Sequence, residues 1–219
     1  MHFSSRIHAG RVLAKQILPL FRYEDCVVLA LNSGGVVVGA QIAKEIHSAI
    51  LMLPIKEIFL PREPMSVGSI SFDGSFVVNS DMSLTDSKEF MDEFRGSIEE
   101  EKITKLREMT SDIGRVELTN KSMIENRNVI LVSDTIKGTT LLDMAYQYLK
   151  PIKTKSLIVA CPISDVKAVD WMHVMVDKIF CLWVNDDTDS DFNRYFDQNN
   201  IPSQRKLNSI IQNIILNWR

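Results

Sequence analysis

Four short segments of this chain are apolar almost without interruption: CVVLAL (residues 26–31), ILMLPI (50–55), VILV (129–132) and SLIVAC (156–161). A strand with one face in water alternates apolar and polar residues. A strand buried on both faces does not, and these runs read as the second kind. Between and around them the apolar residues recur at helical spacing. Ile7, Val12, Leu13, Ile17 and Leu18 mark a helix over residues 5–19, and Val37, Ala40, Ile42, Ala43 and Ile46 mark one over 36–46. Helices are also expected over 141–149 and 165–173, and a last strand over 179–184. This alternation implies right-handed crossovers and an α/β fold, a central parallel sheet with helices on both faces. In such sheets ligands bind beyond the carboxyl ends of the strands, so the loops after Leu31, Val132, Cys161 and Val184 should share one edge.

Two stretches depart from the alternation. Residues 67–70 and 76–78 flank Asp73-Gly74, a hairpin signal, and place a small antiparallel hairpin or hood at about 61–80. Residues 85–110 are dense in charge, with Phe90, Phe94, Ile98, Ile103, Leu106 and Met109 forming one stripe. They read as a single long, largely exposed helix whose Glu99-Glu100-Glu101 run is a solvated face. Near the end, Leu207, Ile210, Ile211, Ile214, Ile215 and Trp218 fall on one face of an amphipathic helix that Ser203 would cap.

A chain of 219 residues with 45% hydrophobic content can form one domain over 1–219. Its formal net charge of -3 gives no broad pull toward nucleic acid or an anionic membrane. No apolar run is long enough to span a bilayer, and the opening MHFSSRIHAGR lacks the apolar core of a secretory signal, so a cytoplasmic location is expected. Cys26, Cys161 and Cys181 lie in strand-like runs with no CxxC spacing and read as reduced core residues. The four histidines show no metal-ligand spacing.

The segment NVILVSDTIKGTT (128–140) carries the most chemistry. A buried strand ends in Ser133 and Asp134, passes Thr135, and reaches Lys137-Gly138-Thr139-Thr140 at the start of a helix. The first N–H groups of a helix have no intrahelical acceptor and point at such a loop, which makes an anion site. Gly138 permits close backbone approach, Thr139 and Thr140 add hydroxyl donors, and Asp134 can accept from sugar hydroxyls or hold a metal's water. LNSGGVVVGAQIAKEI (31–46) repeats the arrangement with Asn32, Ser33, Gly34 and Gly35. Alone, that second segment reads equally well as a plain tight turn.

Together these loops resemble the phosphoribosyl-pyrophosphate (PRPP) motif and the pyrophosphate loop of the type I phosphoribosyltransferases. RIHAGRVLAKQIL (6–18) is similar to that family's first helix, and PREPMSVGSISFDGSFVVN (61–79) and DFNRYFDQ (191–198) resemble segments of an uncharacterised subgroup. The match is partial. Ser133 stands where a first acid is expected, the loop is one residue short, Lys137 replaces a threonine, and Asn32-Ser33 replace Pro-Arg.

The resemblance implies Mg²⁺ and PRPP as ligands and transfer of the phosphoribosyl group to a nitrogen nucleophile, with pyrophosphate released. Asp134 would be the catalytic residue, beside the ribose hydroxyls and holding the metal through water. Ser133, Thr135, Lys137, Gly138, Thr139 and Thr140 would bind the PRPP phosphate, with Asn32, Ser33, Gly34 and Gly35 at the pyrophosphate. Arg62, Phe192 and Tyr195 are candidates for the substrate pocket, although surface exposure for the arginine and packing for the aromatics are the plainer readings. The alternative is a catalytically silent relative that binds another phosphorylated small molecule as a sensor or partner protein. Dimers are common in that family, so the resemblance allows a homodimer, and the residues themselves leave the oligomeric state open.

Overall fold

The computed structural model describes residues 2–63, 65–79, 82, 84–113, 121–186 and 191–216. The chain opens with β1 (Phe3–Ser5), α1 (Arg6–Phe21), β2 (Cys26–Ala30), α2 (Ser33–Ile46), β3 (Ala49–Met52) and β4 (Ile55–Ile58). Then come β5 (Gly68–Ser71), β6 (Phe76–Val78), α3 (Leu84–Glu93), α4 (Arg95–Ile113), β7 (Asn128–Val132), β8 (Thr135–Ile136) and α5 (Thr140–Leu149). The last elements are β9 (Ser156–Asp165), α6 (Val166–Met175), β10 (Lys178–Asn185), β11 (Phe196–Gln198) and α7 (Gln204–Leu216).

The central sheet runs β10-β9-β7-β2-β3, with β8 also paired to β9, and every pairing in it is parallel. The period of two hidden in the unbroken apolar runs now separates two cores. Val28, Ala30, Ile130, Val132, Ile158 and Ala160 face α1, α2 and α7. Val27, Leu29, Leu31, Val129, Leu131, Val159 and Cys161 face α5 and α6. Helices on both faces follow from runs that bury both sets. From β2 the chain first moves outward to β3 and later returns on the other side of β2 to lay down β7. The order therefore reverses between β2 and β7, which is where an open α/β sheet leaves a crevice.

The structure departs from the sequence reading in three places. Residues 50–55 form two strands instead of one. Leu53 N–H still donates to Ala30 O at 2.8 Å, but Pro54 has no N–H to extend the ladder. Ile55 then opens β4, which pairs antiparallel with β5, so the hood is a three-stranded sheet β4-β5-β6. The helix over 85–110 divides into α3 and α4 at Phe94. Hydrogen bonds cross the division, from Phe94 N–H to Phe90 O and from Ile98 N–H to Phe94 O. Finally, β1 and β11 form a separate parallel pair, Phe3 opposite Phe196, over a small cluster with Ala9, Ile163 and Phe192.

On α7, Leu207, Ile211 and Ile214 are buried against the first core, and Trp218 lies outside the described residues. Cys26 and Cys161 are buried free thiols, and Cys181 is half-buried. Among the described residues, no helix is long and apolar enough to cross a membrane.

Candidate functional site

β2 and β7 are in register from Cys26 opposite Asn128 to Ala30 opposite Val132, so their carboxyl ends deliver two loops side by side. Leu31 N–H donates to Val132 O at 2.9 Å where the loops leave the sheet. Asn32 caps α2: its Oδ1 accepts from Gly35 N–H at 2.6 Å. Its Nδ2 donates to Ser133 Oγ at 2.9 Å, and Ser133 Oγ donates to Thr135 O at 2.6 Å. Asn32 and Ser133 thus tie the first loop to the second.

Gly34 has a reason that the sequence does not display. A Cβ at this position would lie 2.0 Å from Asp134 Oδ2. The residue makes room for the carboxylate of the neighbouring loop. That carboxylate accepts a hydrogen bond from Arg6 Nε at 2.6 Å, with the two side chains 6% and 2% exposed. Arg6 is the first residue of α1. Its other nitrogens donate to Asn199 Oδ1 at 2.8 Å and to Asn193 Oδ1 at 2.7 Å, and its guanidinium lies 4.5 Å from the Phe196 ring centroid. Asp191 Oδ1 in turn holds the Asn193 backbone and side-chain amides at 2.9 and 3.0 Å.

In the second loop Gly138 has φ 66°, a left-handed conformation open to glycine at no steric cost. Its N–H donates to Asp165 Oδ2 at 2.7 Å, while Asp165 Oδ1 caps α6 by accepting from Ala168 N–H at 2.8 Å. Thr139 Oγ1 donates to Asp143 Oδ2 at 2.9 Å, and Asp143 Oδ1 accepts from Trp171 Nε1 at 2.7 Å. Thr140 O accepts from Ser69 Oγ at 3.0 Å, which fastens the hood to the loop. The first amides of a helix such as α5 have no intrahelical acceptor, an arrangement that can receive an anion. Lys137 is exposed. Burial on β4 pushes the Glu57 carboxyl above the usual carboxylate range, and the Lys137 charge opposes that rise.

A cleft of about 310 Å³ opens over the first loop, lined by Asn32, Ser33, Gly34, Asp134, Thr135 and Asn193 among others. Lys56 also lines it, with its ammonium 3.9 Å from Glu108. Gly35 sits just beneath, where a Cβ would lie 2.5 Å from Val132 O. Lys137, Gly138, Thr139 and Thr140 lie beyond this lining, around the start of α5. The three pocket candidates lie elsewhere. Arg62 is exposed at φ 72°, Phe192 is buried with Phe3, Ile163 and Phe196, and Tyr195 packs edge-on to Phe192. Asn193, between the two aromatics, lines the cleft instead.

The donor set is a poor match for a divalent cation held by the protein. Asp134 is already paired with a cation, and Ser133, in place of a second acid, donates its hydroxyl proton to Thr135 O. Among the described residues, no group of three or more His, Cys, Asp or Glu could hold a metal.

Sequence reasoning missed Arg6, Asn193, Asn199 and Asp165 as parts of this site. Asp165 carried a signal, since an aspartate just before a helix is a preferred cap. Arg6 carried none of its own, because its partner is 128 positions away.

No protein-family model matches the chain. Two curated relatives, each named "Putative phosphoribosyl transferase", come from Mycobacterium tuberculosis strains CDC 1551 / Oshkosh and ATCC 25618 / H37Rv. Each is 24% identical to this chain over 181 residues, covering 82% of it. The chain spans only 40% of the length of those relatives. The crystal structure of TT1426 from Thermus thermophilus superposes over 97% of this chain and 99% of that one, with a TM-score of 0.74 and 22% identity. It shares the fold.

Proposed function

We propose that this distant relative of the type I phosphoribosyltransferases binds a 5-phosphorylated ribose, PRPP foremost, and transfers the phosphoribosyl group to a nitrogen nucleophile with release of pyrophosphate. The observation that supports this best is the meeting of two strand–loop–helix turns around Asp134 at the switch point of the sheet. The first-turn amides of α5, with Thr139 and Thr140, would receive the 5-phosphate. Asp134 would accept from the ribose hydroxyls. The cleft over Asn32 to Gly34 would hold the leaving group and admit the nucleophile. Such a transfer has oxocarbenium character, and the protein's part is to position the partners and stabilise departing negative charge.

One observation favours a second reading, a silent relative that binds a phosphorylated small molecule. The first loop has no cation for pyrophosphate, and Asn32 uses its side chain to cap α2 and hold Ser133.

Thermal unfolding with PRPP separates these readings from a lost site. A ligand at about a hundred times its Kd stabilises by about 2.7 kcal/mol, a rise of roughly 5–10 °C for a chain of this size. Pyrophosphate release with a panel of nucleophiles then tests turnover. Release that Ser133→Asp increases marks a weakened transferase. A rise in Tm with no release in either protein marks the silent relative. No rise with PRPP, ribose 5-phosphate or nucleoside monophosphates refutes both.

A further inference from the structure

The acid expected beside the ribose hydroxyls already has a cation. Arg6 is ion-paired to Asp134 at 2.6 Å, both side chains are buried, and the remaining guanidinium edges are held by Asn193, Asn199 and Phe196. We propose that Arg6 takes the place of a divalent metal at Asp134, so that the site accepts its phosphorylated ribosyl ligand without a metal ion. This rests on the phosphoribosyl reading above.

Three features of the site carry it. The Arg6–Asp134 pair is neutral, so the loop has little net negative charge to draw a dication. The guanidinium is fixed in place by Asp134, Asn193, Asn199 and the Phe196 ring. Displacing it would leave the Asn193 and Asn199 carbonyls and a buried carboxylate without their donor. Lastly, no second acid stands beside Asp134 to let a dication compete with Arg6: Ser133 stands next to Asp134, and the facing loop offers Asn32 and Ser33. Asp134 nonetheless lines the cleft, and a carboxylate holding one arginine N–H keeps lone pairs for a sugar hydroxyl.

The test has two arms on the full chain. The first compares the rise in Tm with PRPP in EDTA and in Mg²⁺. Equal rises are expected, and a rise that requires Mg²⁺ overturns the proposal. The second titrates Mn²⁺ alone, followed by its electron paramagnetic resonance signal. The wild-type chain is expected to leave Mn²⁺ free, whereas Arg6→Met, which exposes the acid to the cleft without its partner, is expected to gain Mn²⁺ affinity by about tenfold or more. Mn²⁺ bound by the wild type and lost in Asp134→Asn overturns the proposal, as does an Arg6→Met chain that gains none. Should Arg6→Met not fold, Arg6→Gln replaces it: the positive charge is removed while a polar amide remains in the buried position, and the same gain in Mn²⁺ affinity is expected. The Mn²⁺ arm needs no organic ligand. If PRPP raises Tm in neither buffer, the phosphoribosyl reading fails on its own, and the Mn²⁺ result still decides the role of Arg6.

Discussion

Replacing Gly34 by alanine tests the geometry of the site without removing a polar atom. The new Cβ would stand 2.0 Å from Asp134 Oδ2 and 2.5 Å from Oδ1, whereas real contacts of this kind essentially never fall below 3.0 Å. The carboxylate would have to retreat by about 1 Å, and the Arg6 bond at 2.6 Å would break or the turn would shift. Losing a hydrogen bond between charged groups costs about 1.5–3 kcal/mol. Strain from overpacking adds about 1–3 kcal/mol. Gly34 lies in the first turn of α2, so alanine returns up to about 1 kcal/mol of helix preference. The net loss is about 2–5 kcal/mol, a fall in Tm of roughly 5–15 °C. Urea unfolding followed by circular dichroism measures it. In an Asp134→Ala background the same substitution should cost under about 1 kcal/mol, because the clashing group is gone. Gly35→Ala, which clashes with the backbone carbonyl of Val132 at 2.5 Å, should cost the same in both backgrounds. A Gly34→Ala loss below about 1 kcal/mol, or an equal loss with and without Asp134, would refute the packing of the two loops described above.

Three further outcomes are expected. Arg6→Met should cost about 3–5 kcal/mol by leaving a buried carboxylate unpaired; adding Asp134→Asn should recover a large part, and strict additivity in the double-mutant cycle would count against the pair. Asp165→Ala removes acceptors from Gly138 and Ala168 together, and should lower stability by about 1–2 kcal/mol and weaken the PRPP-induced rise in Tm, both read in the same melt. Glu57→Gln should stabilise the chain at neutral pH: with its folded pKa above the ordinary value of 4.5, Glu57 contributes stability that is present below 4.5 and lost as pH rises through the raised pKa. The difference in stability between the two proteins should therefore grow with pH across that window, and a constant difference would contradict the burial assigned to Glu57.

β2, β3, β7 and β9 were legible because they are buried on both faces, which leaves short unbroken apolar runs. The two loops were legible because glycine and hydroxyl residues follow those runs directly. The rest was hidden for identifiable reasons. Pro54 did mark the end of β3, but the apolar run on either side of it masked the change of sheet. β1, β8 and β11 span two or three residues each, too few to show any period. Phe94 divides α3 from α4, and the lone Gly96 two residues later is too weak a signal to announce a break, since an isolated glycine is tolerated within a helix. Above all, the partner of Asp134 is an arginine at the head of a helix, where a charged residue ordinarily reads as solvated. Its burial depends on Asn193 and Asn199, which no local pattern connects to it.

That dependence has a kinetic side. Arg6 meets Asn193 and Asn199 across 187 and 193 positions of chain, through a strand pair only three residues long on each side. Contacts of such sequence separation carry a high loop-closure cost, so they are expected to form after the sheet has brought the two ends of the chain together. Strands this short also open more readily than the core. Amide exchange at β1 and β11 should accordingly outpace exchange at β2 and β7. Each such opening would free the far side of the guanidinium while Asp134 stays seated over Gly34. The readiness of the site would then be timed by the docking of two distant segments, not by the loops that would touch a ligand.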